Sequence, residues 1–322
     1  MSVVSDSTSL KLRVTRRTVR AVGVVELEFS AVDGADLPQW EPGAHLELRL
    51  PSALLRQYSL CGDPAARDTY VVCVQREANG RGGSVEAYDR LEVGVEVTGS
   101  APRNHFPLVD APEFILIAGG IGITPLKSMA EDLHRRGISW RLVYGGRSRR
   151  CMAFADELAT AHPDRVTLVP QDEVGLPDLD RVVASVSQET RVYCCGPAPM
   201  LAAVTEACAR AGCADRLHIE RFSAADASPD TGVDSAFEVE LHRSGTTLTV
   251  SADQSLLEAI RAVRPDIDSS CQEGYCGTCE TRVLDGEPEH RGTLMSPDEH
   301  EAEGTMLLCV GRARSAKLVL DL

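Results

Sequence analysis

The chain has 322 residues, 43% of them apolar, which is enough for two or three domains with cores of their own. A formal net charge of −15 excludes nucleic acid and an anionic membrane surface as natural partners and favours a basic patch on another protein. Eleven cysteines, an N-terminus without an apolar signal-type core and no run near the roughly 18 consecutive apolar residues of a membrane span together predict a cytoplasmic protein with free thiols.

Between Leu10 and Thr98, short alternating or apolar segments are broken by Gly, Pro and Asp: Lys11 to Thr15, Val22 to Ser30, His45 to Leu50, Gln57 to Cys61, Thr69 to Gln75 and Glu92 to Thr98. This spacing predicts an antiparallel barrel. One helix is expected in it, from Ser84 to about Leu91, opened by Gly80-Arg81-Gly82-Gly83. A glycine-rich turn at a helix start leaves N–H groups unpaired beside the positive end of the helix dipole, where phosphate binds. Arg56-Gln57-Tyr58-Ser59 lies on a strand that can bring a guanidinium to the same phosphate and a phenol ring alongside a flat ligand. Taken one at a time, Arg56 and Tyr58 read equally as a surface ion pair and a half-buried strand tyrosine.

After Pro112 the apolar run Phe114 to Ala118 leads into Gly119-Gly120-Ile121-Gly122-Ile123-Thr124-Pro125 and an amphipathic helix to about Arg136. Continuous apolar runs are typical of buried parallel strands. Thr124 is expected to cap the helix and Pro125 to sit in its first turn, so that Gly120 and Gly122 stand where a pyrophosphate approaches the helix N-terminus. The motif departs from G-x-G-x-x-G. The order continues as strand (Trp140 to Tyr144), turn at Arg147, helix (about Phe154 to His162), strand (Val166 to Val169), helix (about Leu179 to Ser187), strand (Arg191 to Cys194) and helix (Pro199 to Ala211). Such alternation predicts an α/β doubly wound parallel sheet, with Cys195-Gly196-Pro197 at the carboxyl end of a strand, where ligands bind. Arg147 and Asp172 are further candidates near a ribose or adenine.

Ser223 to Ser235, rich in Ala, Ser, Asp, Pro and Gly, reads as a linker. Beyond it come a hairpin (Phe237 to Leu241 and Thr246 to Val250) and a capping-box helix from Ser255-Leu256-Leu257-Glu258 to about Val263. The helix delivers the chain to Cys271-Gln-Glu-Gly-Tyr-Cys276-Gly-Thr-Cys279, and Cys309 follows after a 29-residue gap. That spacing is the plant-type run that holds a [2Fe-2S] cluster through four thiolates. Gly274 and Gly277 allow loop N–H groups to turn toward the sulfides. A zinc site, which more often uses two separate C-x2-C pairs, and a chance group of buried thiols are the alternatives. Cys61, Cys73, Cys151, Cys194, Cys208 and Cys213 read as packing residues.

The Arg-x-Tyr-Ser pattern, the Gly-Arg-Gly-Gly-Ser turn, Pro102-Arg103-Asn104-His105-Phe106, Cys195-Gly196-Pro197-Ala198-Pro199-Met200 and the cysteine spacing occur here in one order. In this the chain, from about Leu10 to Leu322, resembles the phthalate dioxygenase reductase family of the ferredoxin reductase superfamily. The resemblance implies a multi-domain protein: an FMN-binding antiparallel β-barrel (1–110), an NAD-binding α/β domain (111–224), a linker (225–235) and an α+β plant-type ferredoxin of β-grasp form (236–322). It implies FMN held by Arg56, Tyr58, Ser59, Arg81, Gly82, Gly83 and Ser84, with Arg56, Gly83 and Ser84 on the phosphate. NADH would be held by Gly120, Gly122, Thr124 and Pro125, with Arg147 and Asp172 more weakly placed and Cys195, Gly196 and Pro197 beside the nicotinamide. Phe222 is either a cover for the flavin ring or an ordinary core phenylalanine. Cys271, Cys276, Cys279 and Cys309 would ligate the irons, which leaves His105 and His290 as surface or packing residues.

The resemblance further implies an NADH-oxidising reductase component of a two-component oxygenase or O-demethylase, expected as a monomer, that passes single electrons to a terminal oxygenase of Rieske non-haem iron type. A nicotinamide yields two electrons as a hydride and oxygen-activating iron takes them singly, so a flavin stands between them. Hydride transfer needs no side-chain acid or base, and no catalytic residue is assigned. A reductase serving a cytochrome P450 and a non-enzymatic electron carrier are the rival readings. From Ser235 to Leu322 there are 16 acidic and 8 basic residues, a net of −8, which predicts docking to a basic patch on the acceptor.

Overall fold

The computed structural model describes residues 9–78, 82–222, 234–295 and 297–322. By its contacts the chain divides into two compact units, Met1–Phe222 and Ser223–Leu322, so most of the linker segment and Arg81 lie outside the described residues.

The first unit begins with β1 (Leu10–Ala21), β2 (Val24–Ala31), β3 (His45–Arg49), β4 (Leu55–Ser59), β5 (Tyr70–Gln75), α1 (Gly83–Arg90) and β6 (Glu96–Gly99). The strands form an antiparallel sheet in the order β4-β3-β6-β1-β2-β5. A bridge between Leu60 and Val72 joins its two ends and closes the expected barrel. Alternation sets the inside: Leu12 and Val14 of β1, Leu46 and Leu48 of β3, and Val72 and Val74 of β5 are buried in one core with Phe29 and Trp40. Each such side chain contributes roughly 1.5–3 kcal/mol through burial.

The second layer contains β7 (Glu113–Gly119), α2 (Ile123–Arg135), β8 (Ser139–Gly146), α3 (Ala155–Ala161), β9 (Val166–Pro170), α4 (Gln171–Val174), α5 (Leu179–Val183), β10 (Thr190–Cys195), α6 (Ala198–Arg210) and β11 (Leu217–Glu220). Its strands are parallel in the order β11-β10-β7-β8-β9. Phe114, Leu116 and Ala118 of β7 face the core shared with α2 and α3, whereas Ile115 and Ile117 face the core shared with α5 and α6. Helices therefore cover both faces, as doubly wound sheets require. Strand order reverses between β7 and β10, and the crevice beyond their carboxyl ends is where such sheets bind ligands.

The first of these helices starts differently from the sequence expectation. A 3-10 turn, Gly120–Gly122, comes first, Gly122 is the cap, and Thr124 lies inside the helix with its hydroxyl donating to the Ile121 carbonyl at 3.0 Å. Thr124 is thus not the cap, although Pro125 does occupy the first turn. The helix expected from Leu179 to Ser187 stops at Val183.

The second unit contains β12 (Phe237–Leu241), β13 (Thr246–Val250), α7 (Leu256–Val263), β14 (Glu280–Asp285), β15 (Pro288–Glu289), α8 (Pro297–Glu303), β16 (Thr305–Leu307), β17 (Arg312–Ala313) and β18 (Lys317–Leu320). Its main sheet runs β13-β12-β18-β14-β16, with β12 and β18 parallel and β15 paired to β17 apart from it. The capping box is present: Glu258 N–H donates to Ser255 Oγ at 3.2 Å and Ser255 N–H to Glu258 Oε2 at 3.0 Å. The helix it starts packs Leu256, Leu257 and Ile260 on the sheet and leads into the cysteine loop.

Candidate functional site

On the barrel, β4 places Arg56 against the opening of α1. Gly82 there has φ +79°, a conformation that favours glycine, and a Cβ on Gly83 would come 2.6 Å from Arg56 Cζ. The glycine pair thus lets a guanidinium lie across the first turn of a helix, two independent attractions for one phosphate. Ser84 is in the same turn, its hydroxyl accepting from Glu77 N–H at 3.2 Å. Tyr58 packs against the barrel core, and its buried hydroxyl has no hydrogen-bond partner among the described residues. A buried phenol without a partner is costly unless a ligand satisfies it, so this strand and turn fit a flavin mononucleotide.

Across the reversal of strand order, β7 and β10 end almost backbone to backbone. A Cβ on Gly119 would lie 2.6 Å from Pro197 Cδ, one on Gly122 would lie 2.7 Å from Gly196 N, and one on Gly196 would lie 3.1 Å from Gly119 Cα. Gly120, at φ +55°, exposes its carbonyl to Tyr144, whose hydroxyl donates to it at 3.1 Å. Cys195-Gly196-Pro197 is therefore in direct contact with Gly119–Gly122, and the N-terminus of α2 opens onto the same crevice. Arg147 and Asp172 also adjoin, Asp172 N–H donating to the Arg147 carbonyl at 3.2 Å. Neighbouring Arg149 is committed to Asp156, at 2.6 Å. Phe222, the last described residue of the unit, is 37% exposed.

Barrel and parallel sheet meet at a carboxyl that the sequence did not single out. Cys195 on β10 pairs in register with Glu220 on β11, and its thiol donates to Glu220 Oε2 at 3.8 Å. Ser59 of β4 adjoins the same carboxyl, and its buried hydroxyl has no hydrogen-bond partner among the described residues. Burial pushes Glu220 up to about 8, partly opposed by the polar side chains of Cys195 and Ser59 beside it, and burial also raises the Cys195 thiol. No local pattern marks Glu220. Only the strand register brings it to the end of the Arg-x-Tyr-Ser strand.

In the second unit the four thiols are linked in a chain: Cys276 to Cys271, Cys271 to Cys309, and Cys309 to Cys279. All four are buried, with Gly274 and Gly277 at φ +76° and +74° shaping the loop. Backbone N–H groups point at sulfur: Glu273 donates to Cys271 Sγ at 3.3 Å and Cys271 to Cys276 Sγ at 3.4 Å. Hydrogen bonds from the Cys276 and Cys309 thiols, then from the Glu273 and Tyr275 amides, hold Cys271 well below the usual thiol range. Among the described residues no three or more His, Cys, Asp or Glu side chains gather on one ion position. Four thiols with inward amides suit a cluster of two irons.

Known proteins agree with this division. The model of the "Oxidoreductase NAD-binding domain" matches residues 116–206, and that of the "2Fe-2S iron-sulfur cluster binding domain" matches 239–314. The phenoxybenzoate dioxygenase subunit beta of Ectopseudomonas oleovorans is 42% identical over the whole of both chains. The solved phthalate dioxygenase reductase, described as a modular structure for electron transfer from pyridine nucleotides to [2Fe-2S], is 37% identical over 98% of each chain, with a TM-score of 0.72.

The chain belongs to the phthalate dioxygenase reductase family. As a member it is an oxidoreductase with an NAD-binding domain and a [2Fe-2S] ferredoxin domain, and its relatives are reductase subunits of oxygenase systems. An intact type IV self-sufficient cytochrome P450 monooxygenase also aligns, at 40% identity and a TM-score of 0.89, over 98% of this chain and 41% of that one. In the phthalate dioxygenase reductase family FMN is the flavin, which the Arg56–Gly83 cradle and the unpartnered Tyr58 hydroxyl fit. No described helix is long and apolar enough to cross a membrane.

Proposed function

We propose that the protein accepts a hydride from NADH on FMN and passes the electrons singly through its [2Fe-2S] cluster to a terminal oxygenase of the Rieske non-haem iron kind. In this reading residues 1–110 hold FMN, 111–224 hold NADH, 225–235 connect, and 236–322 carry the cluster. The observation that carries it is the junction of Ser59, Cys195 and Glu220, which joins the strand of the flavin motif to the crevice of the nucleotide motif.

Arg56, Gly83 and Ser84 hold the FMN phosphate, with Gly82 giving the turn its shape and Tyr58 and Ser59 along the ring; Arg81, also assigned to the flavin by its motif, lies outside the described residues. Gly120 and Gly122 let the NADH pyrophosphate approach the start of α2, with Thr124 and Pro125 behind. Cys195, Gly196 and Pro197 border the nicotinamide, Arg147 and Asp172 its far end, and Phe222 covers the flavin. Cys271, Cys276, Cys279 and Cys309 ligate the irons. FMN supplies the exchange between two-electron and one-electron chemistry when bound.

The acceptor meets an acidic surface. The ferredoxin segment has a net charge of −8, and α8 exposes Asp298, Glu299, Glu301 and Glu303. Such a surface favours docking to a basic patch of the oxygenase, with an on-rate that falls as salt rises, and the protein is read as a cytoplasmic monomer. The alignment with a P450 monooxygenase supports a second reading, a haem acceptor. Reconstitution of NADH-driven product formation with a Rieske oxygenase and, separately, with a P450 distinguishes them. Turnover with the P450 alone overturns the first reading.

A further inference from the structure

The end of the linker segment is tied to the loop that carries the thiols. Asp234, its first described residue, takes both arms of Arg291, with Nη2 at 2.7 Å and Nη1 at 3.3 Å. Its Oδ2 also lies 3.5 Å from Arg312 Nε. Arg312 is 6% exposed, and its guanidinium lies over the Phe237 ring at 5.3 Å. It donates to the carbonyls of Ser235 and Gln254 at 3.0 Å and of Ser251 at 3.1 Å. A guanidinium this buried needs a counter-charge, which Asp234 supplies.

The other cation leads straight to the cysteine loop. Gly292 follows Arg291 in sequence, and a Cβ there would come 2.8 Å from the Gly274 carbonyl. That carbonyl accepts from Thr293 N–H at 2.8 Å. Arg312 itself stands three residues beyond Cys309. One carboxylate thus ties the foot of the linker to the segment that abuts the cysteine loop, where Arg291 also donates to Glu289 Oε1 at 2.8 Å, and to the segment that follows Cys309. An ordinary surface ion pair, worth about 0–1 kcal/mol, has no such set of partners.

We propose that Asp234 is a positioning residue: by fixing where the linker leaves the ferredoxin unit relative to the thiols, it sets how fast an electron moves from reduced flavin to the cluster. In that step the flavin loses one electron and one ferric iron becomes ferrous. The inference rests on the electron path proposed above. Freeing the foot lengthens the linker and removes a fixed exit point, which lowers effective concentration and orientation together.

The test is Asp234→Asn in the full, cofactor-loaded chain, with Arg291→Gln as a second variant and Asp234→Glu as the conservative one. Stopped-flow absorbance should give flavin reduction by NADH at the wild-type rate and flavin-to-cluster transfer slowed by roughly two- to fivefold, partly restored in Asp234→Glu. Hydrogen exchange of residues 235–241 should quicken, with iron content and the cluster's EPR signal unchanged. Transfer at the wild-type rate in both Asp234→Asn and Arg291→Gln overturns the inference. So does loss of iron, which would make Asp234 a support of the loop alone. Absence of any transfer in the wild type instead refutes the electron path itself.

Discussion

The Cys195 thiol and the Glu220 carboxyl face one another at 3.8 Å from adjacent parallel strands. Their separation in sequence is bridged only by strand register, and the pair ends beside Ser59 of the barrel. A carboxyl whose burial raises it to about 8 changes charge within the working pH range. The rate of flavin reduction by NADH is therefore expected to inflect near pH 8 in the wild type and to lose that inflection in Glu220→Gln. A retained inflection in the variant would assign the titration elsewhere.

The same carboxyl affects stability, with a definite sign. Between its ordinary value and about 8 the folded state binds the proton that the unfolded state has released, so stability falls as pH rises through that window. Glu220→Gln removes the cost of burying the charge. Its melting temperature should exceed the wild type's above pH 8, by about 2–4 °C for each kcal/mol relieved, and the gap should close near pH 5. Scanning calorimetry across pH 5 to 9 checks this.

Arg56 reaches across Gly83 at the start of α1. Arg56→Ala removes a charge-assisted contact of about 1.5–3 kcal/mol, and FMN should bind roughly 10- to 100-fold more weakly. Iron content should not change. Flavin released into the filtrate on ultrafiltration, measured against retained iron, reads both at once.

Gly122→Ala puts a methyl group into the Cys195–Gly196 backbone. Overpacking at such a place costs about 1–3 kcal/mol, and it separates the two loops of the nucleotide crevice. The expected phenotype is a raised KM for NADH with FMN still bound, from steady-state kinetics and flavin absorbance. A wild-type KM would show that the two loops need not touch for NADH to bind.

Much of this architecture was legible because its determinants are local. Alternating Leu12 and Val14, the apolar run of β7, the Ser255–Glu258 box and the cysteine spacing each fix a feature within a few residues. The start of α2 was misread because glycine backbone freedom, which a sequence shows only as permission, inserts a 3-10 turn ahead of the helix. Thr124, a good cap by type, then lies two residues too late and bonds back to Ile121. Glu220 escapes a sequence reading for the opposite reason: its environment is made by residues from two other strands, Ser59 on β4 and Cys195 on β10. Helix α8 has no apolar stripe to announce it, since among its seven residues only His300 is buried.

The central claim is that electrons leave the flavin through the four-thiol cluster. The most direct measurement is Cys276→Ser, with anaerobic flavin reduction by NADH and steady-state cytochrome c reduction followed in parallel. The account predicts flavin reduction at the wild-type rate and cytochrome c reduction lowered more than about tenfold, a change equivalent to about 1.4 kcal/mol or more. Cytochrome c reduction at the wild-type rate would contradict it, because electrons would then be leaving by a path that does not include the cluster.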